Sequence, residues 1–524
     1  MKRTVLLRSE APAVGMTLAV HAREAPEQPA IVSPHGDRSF DALNRRANQL
    51  AGALRAAGLQ AGDAVALVCA NRAEFVEVYY AVQRTGLRLT PVNWHLTGEE
   101  IAYILQDCEA RALVADARFA ATVGAALARA PRLEFRLAVG GAINGFESYD
   151  AACDAQAPDD LTDPVVGTQM LYTSGTTGRP KGVHRKRTGL RALGEVGKRI
   201  EHRPGQDLNL CTGPLYHAAP LAFSMSIPLV FGVGVVLMDG WEAEEALRLV
   251  ESHRVTHTHM VPTMFHRMLS LPDDVRRLYD LSSLRVVLHG AAPCPVEVKR
   301  AILEWLGPVL FEYYAATEGW GAFVTPEEWL ERPGTVGQPD PGQVSVRDDD
   351  GKPVAAGTIG LLYLKSPDDG TDFRYFKDET KTGRAYDAEG THFTLGDMGY
   401  VDDDGYLYLA DRSADQIISG GVNVYPAEVD AVLLTHPAVG DACCVGIPNE
   451  EWGEEVRAVV ELREGFDAND ALAAELVEHC RARLAHYKCP RAVDFAASLP
   501  RMDSGKIQRR KVRDPYWAGR ERRI

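Results

Sequence analysis

The sequence predicts an α/β protein with a large multi-part N-terminal domain and a small α+β C-terminal domain, and three observations carry that prediction. Helical and strand patterns alternate along the chain, 524 residues exceed what one core usually holds, and a second compact pattern starts after residue 412. At 46% hydrophobic and 25% charged, the chain can bury a large core.

The elements follow in order. "FDALNRRANQLAGALRAAG" sets Phe40, Leu43, Ala47, Leu50 and Leu54 at helical spacing and stops at Gly58; "AVALVCA" is a short apolar strand; "AEFVEVYYAVQRTG" is helical again. "IPLVFGVGVVLM", Ile227 to Met238, is too short and too rich in Gly and Pro to span a membrane and is expected as buried strand. Around Asp348 and Asp402, "DDDG" marks hairpin turns, since its oxygen spacing is wrong for an EF-hand. A βαβ-like pattern begins again at "AVGDACCVGI". The domain boundary is expected at 411/412, giving domains 1–411 and 412–524 with a hinge near 412–414.

A net charge of -15 argues against nucleic-acid binding, which needs a basic surface. The segment from Arg501 to Ile524 is the exception, with nine Lys or Arg against three Asp or Glu. It is read as a solvated face or as a peripheral contact with an anionic surface. The start, "MKRTVLLRSEAP", lacks a sustained apolar core and cleavage site, and nine scattered cysteines suit reduced thiols, so a cytoplasmic protein is expected. His253, His257 and His259 in "HRVTHTHMVP" could suggest zinc, but no Glu base accompanies them and the alternation reads as a strand with structural histidines.

"LYTSGTTGRPKGV", Leu171 to Val183, follows an apolar strand with small hydroxyl and glycine residues, so its amides and hydroxyls can wrap phosphate oxygens. It is not a Walker A loop, because Pro180 precedes Lys181 and Gly182 follows it. The stretch resembles the phosphate-loop signature of the adenylate-forming superfamily: acyl-CoA synthetases, adenylation domains and luciferases. "PLYHAAP", "HGAAP", "YYAATEG", "RPGTVGQP", "FTLGDMGYVDDDGYLYLADR", "ISGGVNVYPAEVD" and "LPRMDSGKIQRRKVR" resemble further family motifs in the family's order and span most of the chain.

The resemblance implies an N-terminal adenylation domain, a mobile C-terminal domain, and roles for individual residues. Thr173, Ser174, Gly175, Thr176, Thr177 and Lys181 hold the β- and γ-phosphates of ATP; Thr173 and Glu318 place Mg²⁺, a hard cation suited to oxygen donors and substrate phosphates. Tyr314 stacks on the adenine, Ala315 and Thr317 belong to the ATP site, Asp397 takes the ribose hydroxyls, and Arg412 steadies ribose and phosphate. Lys506 bridges carboxylate and α-phosphate during adenylation, and His217 gates the acyl pocket, so the expected catalytic residues are Lys506, His217 and Glu318. Coenzyme A is expected along Ser419, Gly420 and Gly421 and at Lys488. The acyl pocket is expected from His217, Ala218, Ala219, Leu221, Phe223, His289, Gly290, Ala291, Ala292 and Trp320. Two departures stand out: Ala315 replaces the usual glycine of its motif, and Ala414 stands at the hinge where Asp or Lys is usual.

The expected activity is that of an ATP- and Mg²⁺-dependent acid–CoA ligase acting through an acyl-adenylate. The Asp with which amino-acid activators of the family grip an amine has no counterpart in "HAAPLAFSMSIPL", and the small or apolar lining suits an aliphatic, aromatic or ring-bearing acid. The ending "RDPYWAGRERRI" resembles bacterial synthetases for fatty or steroid-side-chain acids, which implies a medium- or long-chain fatty acid or a steroid-side-chain acid of lipid metabolism. Transfer to a carrier protein, an acyl-AMP ligase and a silent nucleotide sensor are the alternatives. The expected partners are the acid, ATP and CoA, with homodimer formation left open.

Overall fold

The computed structural model of the chain describes residues 9–130, 133–173, 180–185, 197–348, 350–366, 373–412, 415–419, 422–449, 452–502 and 505–518, the side chains of Asp411 and Arg412 excepted. The pattern beginning at Phe40 is a helix over Phe40–Ala56, started by the Ser39 hydroxyl, which accepts a hydrogen bond from the Ala42 amide. "AVALVCA" supplies the strand Ala64–Val68. "AEFVEVYYAVQ" supplies the helix Ala73–Gln83, every residue of which is buried. Its apolarity on all sides has a cause: Phe75, Val76 and Tyr79 share one core with Val65, Leu67 and Leu89 of one sheet and with Cys211, Val235 and Leu237 of another.

Those two sheets have eight strands each and are parallel except at their edges. The first runs, across its width, Trp320–Val324, Leu310–Ala315, Val286–His289, His257–Met260, Leu208–Cys211, Gly234–Leu237, Pro29–Val32 and Arg38–Ser39. The second carries at one edge the antiparallel strands Phe373–Tyr375, Lys181–Arg185 and Thr168–Thr173, continued by the parallel strands Arg88–Pro91, Ala64–Val68, Ala110–Asp116, Phe135–Val139 and Glu147–Ser148. A third sheet, five antiparallel strands from Thr335–Gly337 to Leu407–Arg412, contains the expected turns: the Asp402 carboxylate accepts the amides of Asp404 and Tyr406.

The last sheet joins the hairpin Val439–Asn449 and Gly453–Leu462 to the short strands Ile417–Ser419 and Val422–Val424. Strand Ala492–Ala496 pairs parallel to Gly453–Leu462 after the helix Asp470–Arg481, the βαβ unit expected there, preceded by one extra strand. This sheet has its own core, from Ile417 to Val493. One expectation fails in part: Ile227 to Met238 is a short helix, Ile227–Val230, then the strand Gly234–Leu237. Pro228 suits the first helical turn, and Gly232 at φ +73° adopts the left-handed backbone that ends it. Among the described residues no helix is long and apolar enough to cross a membrane.

One buried ion pair underlies the first sheet. Lys299 Nζ donates to Glu312 at 2.6 Å, with the ammonium 4.7 Å from the Trp329 ring centroid, and the lysine is fully buried. Removing the cation strands a carboxylate that burial already pushes toward its neutral form. Lys299→Ala should therefore lower unfolding free energy by about 3–5 kcal/mol, read as an earlier chemical-denaturation transition; an unmoved transition would refute the assignment.

Candidate active site

The sheets meet around a cleft of about 2960 Å³. On one side, strands Thr168–Thr173 and Lys181–Arg185 form a hairpin whose last pair is Thr173 with Lys181. Thr173 and Lys181 line the cleft; Ser174, Gly175, Thr176 and Thr177 lie outside the described residues.

Glu318 sits in the turn between strands Leu310–Ala315 and Trp320–Val324 and is 7% exposed. Tyr375, at the edge of the second sheet, donates its hydroxyl to Glu318 Oε1 at 3.0 Å, and Lys181 Nζ lies 5.3 Å from the Tyr375 ring centroid. Arg185 donates to the Glu318 carbonyl at 3.2 Å. The hairpin lysine and the turn carboxylate are thus tied through one ring. Thr173 and Glu318 offer a hydroxyl and a carboxylate, the hard oxygen donors Mg²⁺ takes.

A second phenol orients a second carboxylate: Tyr314 donates to Asp397 Oδ2 at 2.8 Å, linking the first sheet to the third. Asp397 is the backbone partner of Arg412 on the neighbouring strand, and the Arg412 side chain lies outside the description. Ala315, in place of the motif glycine, stands at a break in strand register after Tyr314, and with Thr317 it lines the cleft.

His217, Ala218, Ala219, Leu221, Phe223, Ala291, Ala292 and Trp320 line the same cleft. Its wall is aromatic: Tyr313 packs at 4.5 Å from Phe223 and 6.1 Å from Trp320 between ring centroids. His289 and Gly290, expected in the acyl pocket, are not among the lining residues. His289 is fully buried against Phe265 and 3.6 Å from Glu312, held neutral by burial and the nearby Lys299 charge. Gly290 lies behind Tyr313, where a Cβ would come within 2.6 Å of the Tyr313 carbonyl oxygen; the glycine seats the ring. Ala291 takes the left-handed backbone at φ +64°, a strained choice for alanine at a cleft wall.

Lys506 lines the cleft from the C-terminal side, on a turn where the Gly505 amide donates to the Met502 carbonyl at 2.8 Å. That turn packs against Thr263. Ser419 ends a strand; Gly420, Gly421 and Ala414 lie outside the described residues. Lys488 is paired, donating to both Glu428 carboxylate oxygens at 2.9 and 2.7 Å. The basic tail is likewise matched in part, Arg501 with Asp441 and Arg509 with Asp430.

The three histidines of the zinc-like stretch do not converge. His257 shares a hydrogen bond with the Ile200 carbonyl at 2.9 Å, and His259 one with the Tyr313 hydroxyl at 2.9 Å. Burial pushes the His259 ring down to about 3, so it is neutral. His202, Asp207 and His257 do approach one another, but Asp207 already receives Arg285 at 2.7 and 2.6 Å.

Tyr375 and Asn71 are among the residues that escaped sequence reasoning. Tyr375 acts through partners more than 50 positions away in the chain, and no local signal marks it. Asn71 pins the loop before His217 by donating to the Gly213 carbonyl and accepting the Leu215 amide, both at 2.9 Å.

Comparison with known proteins agrees with this geometry. Residues 18–370 match the family described as AMP-binding enzyme, and residues 428–506 match the AMP-binding enzyme C-terminal domain. A fatty acid–[acyl-carrier-protein] ligase, ScoC of Streptomyces coeruleorubidus, is 33% identical over 519 residues, covering 97% of both chains. The long-chain-fatty-acid–CoA ligase FadD13 of Mycobacterium tuberculosis is 32% identical over 517 residues, covering 96% of this chain and 99% of that one. The crystal structure of the anthranilate CoA ligase AuaEII in complex with anthranoyl-AMP superposes with a TM-score of 0.87 at 27% identity, covering 98% and 99% of the two chains. The chain therefore belongs to the AMP-binding enzymes, the adenylate-forming superfamily, and is an enzyme of its acid–thiol ligase class.

Proposed function

We propose that this enzyme joins an apolar carboxylic acid to coenzyme A in two steps, first forming an acyl-adenylate from ATP with Mg²⁺ and then the thioester. The observation that carries the reading is the convergence of Lys181, Glu318, Asp397, His217 and Lys506 on one cleft. A carboxylate and a polyphosphate repel, so their reaction needs fixed cations and oriented partners more than it needs a nucleophile. In the proposed roles, Lys181 and the hairpin amides take the outer phosphates, Asp397 takes the ribose hydroxyls and Tyr314 borders the adenine. Lys506 meets the acid carboxylate and the α-phosphate together as the carboxylate oxygen attacks phosphorus and pyrophosphate leaves. Thr173 and Glu318 would hold Mg²⁺, which would supply further neutralisation of phosphate charge. His217 closes the acid side.

For the second step, the portion 412–524 is proposed to move as a unit, withdrawing Lys506 and admitting the thiol along Ser419 to Gly421. The apolar walls at Ala218, Leu221 and Ala291 support a medium- or long-chain fatty acid or a steroid-side-chain acid. The aromatic wall of Phe223, Tyr313 and Trp320 also supports an aryl acid. A carrier protein as acceptor is the second reading, favoured by the likeness to ScoC.

The deciding assay is acid-dependent pyrophosphate release across fatty, aryl and steroid carboxylic acids, with and without CoA. Release with one class, accompanied by its CoA thioester, is the expected result; adenylate formed while CoA is ignored would transfer the case to the carrier-protein reading. Lys506→Ala should slow adenylation by about a hundredfold or more while sparing thioester formation from supplied acyl-adenylate. Equal loss of both half-reactions would remove Lys506 from its proposed role.

A further inference from the structure

The helix Glu379–Ala385 begins four residues after Tyr375 and is fastened to it. The Tyr375 amide donates to Thr382 Oγ1 at 3.0 Å, the Thr382 hydroxyl donates to the Asp378 carbonyl at 2.8 Å, and the Asp378 carboxylate caps the Lys381 amide at 2.9 Å. These bonds fix the first turn and set Lys381 beside the tyrosine. Its Nζ lies 5.8 Å from the Tyr375 ring centroid, and Lys181 Nζ lies 5.3 Å from the same centroid. Arg384, one helical turn beyond Lys381, lines the same cleft as Lys381, Lys181 and Glu318.

Neither Lys381 nor Arg384 has an ion-pair partner among the described residues. Several cations elsewhere in this acidic chain are matched: Arg46 with Asp150 and Asp154, Arg72 with Glu74, Arg347 with Asp387. Lys381 is moreover half-buried, and burial pushes its ammonium below the usual lysine range. A cation drawn partly from water without a counter-ion is destabilised until an anion arrives.

We propose that Lys381, with Arg384 one turn along, is a second cationic arm for the pyrophosphate end of ATP, beside the same Tyr375 ring that Lys181 approaches. The inference rests on the adenylation reading. As the acid oxygen bonds to the α-phosphorus, the bond from that phosphorus to the bridging oxygen breaks, and pyrophosphate leaves with the electron pair. Lys381 and Arg384 stabilise that added charge on the leaving group. Coenzyme A carries phosphates of the same chemistry, but the proximity of Lys181 and Glu318 assigns the arm to the nucleotide triphosphate.

The test uses the full-length enzyme and titration calorimetry with inorganic pyrophosphate, ATP and CoA separately, each with magnesium. Lys381→Met and Arg384→Met should each weaken pyrophosphate and ATP binding by about tenfold, the loss expected for one charged hydrogen bond. CoA affinity should stay unchanged, and Lys381→Arg should restore binding. In acid-dependent ATP–pyrophosphate exchange, the Met variants should raise the KM for pyrophosphate while leaving that for the acid in place. Unchanged pyrophosphate affinity in both Met variants, no pyrophosphate binding by the wild type, or a loss confined to CoA would each overturn the proposal. Should the variants weaken ATP binding while no acid releases pyrophosphate from the wild type, the adenylation reading falls and the cationic arm stands.

Discussion

The constraint on which the proposed nucleotide site depends is the keeping of cations without an ion-pair partner among the described residues, inside a chain with 57 basic and 72 acidic side chains. A lysine held by a buried carboxylate meets substrate phosphate only by giving up the anion it already has. Lys181 and Lys381 lie over an aromatic ring instead. A ring face attracts an ammonium by about 0.5–2 kcal/mol, enough to orient it and too little to neutralise it. Tyr375 thereby holds positive charge in place while leaving that charge for a ligand.

The same economy of contacts orients the carboxylates. Tyr375 reaches Glu318 from the edge of the second sheet, and Tyr314 of the first sheet reaches Asp397 of the third. Each phenol fixes one oxygen of a carboxylate without adding a positive charge. The two bonds also cross between sheets, so the cleft geometry is set by how three sheets abut and not by any one loop. A ligand binding there senses the packing of the whole large portion of the chain.

This explains what was legible in the sequence. The helix at Phe40, the strand at Ala64, the helix at Ala73 and the turn at Asp402 were readable because local periodicity and turn chemistry decide them. The ordered motifs named Lys181, Glu318, Asp397 and Lys506, which the fold brings to one cleft from positions more than 300 residues apart. His289 and Gly290 sit in a motif whose neighbours Ala291 and Ala292 face the cleft, and strand alternation sends His289 inward, a choice that depends on which face of the sheet is covered. The Ile227 segment misled because continuous apolarity fits a buried helix as well as a buried strand. Tyr375 and Lys381 were illegible for a simpler reason: their meaning lies in partners that only the folded chain supplies.

On the proposed movement of the portion 412–524, the contacts that bring Lys506 to the cleft are suited to being made and broken. Asp441 faces His266 of the large portion, yet its carboxylate is matched by Arg501 on its own side. Parting the two portions therefore leaves no stranded charge at Asp441, and the neutral, burial-suppressed His266 ring loses little by returning to water. Lys488 follows the same logic. Its pair with Glu428 has side chains 25% and 40% exposed, a setting in which an ion pair contributes about 0–1 kcal/mol. On the proposed second step, exchanging that carboxylate for a CoA phosphate trades a weak, hydrated partner for a more highly charged one.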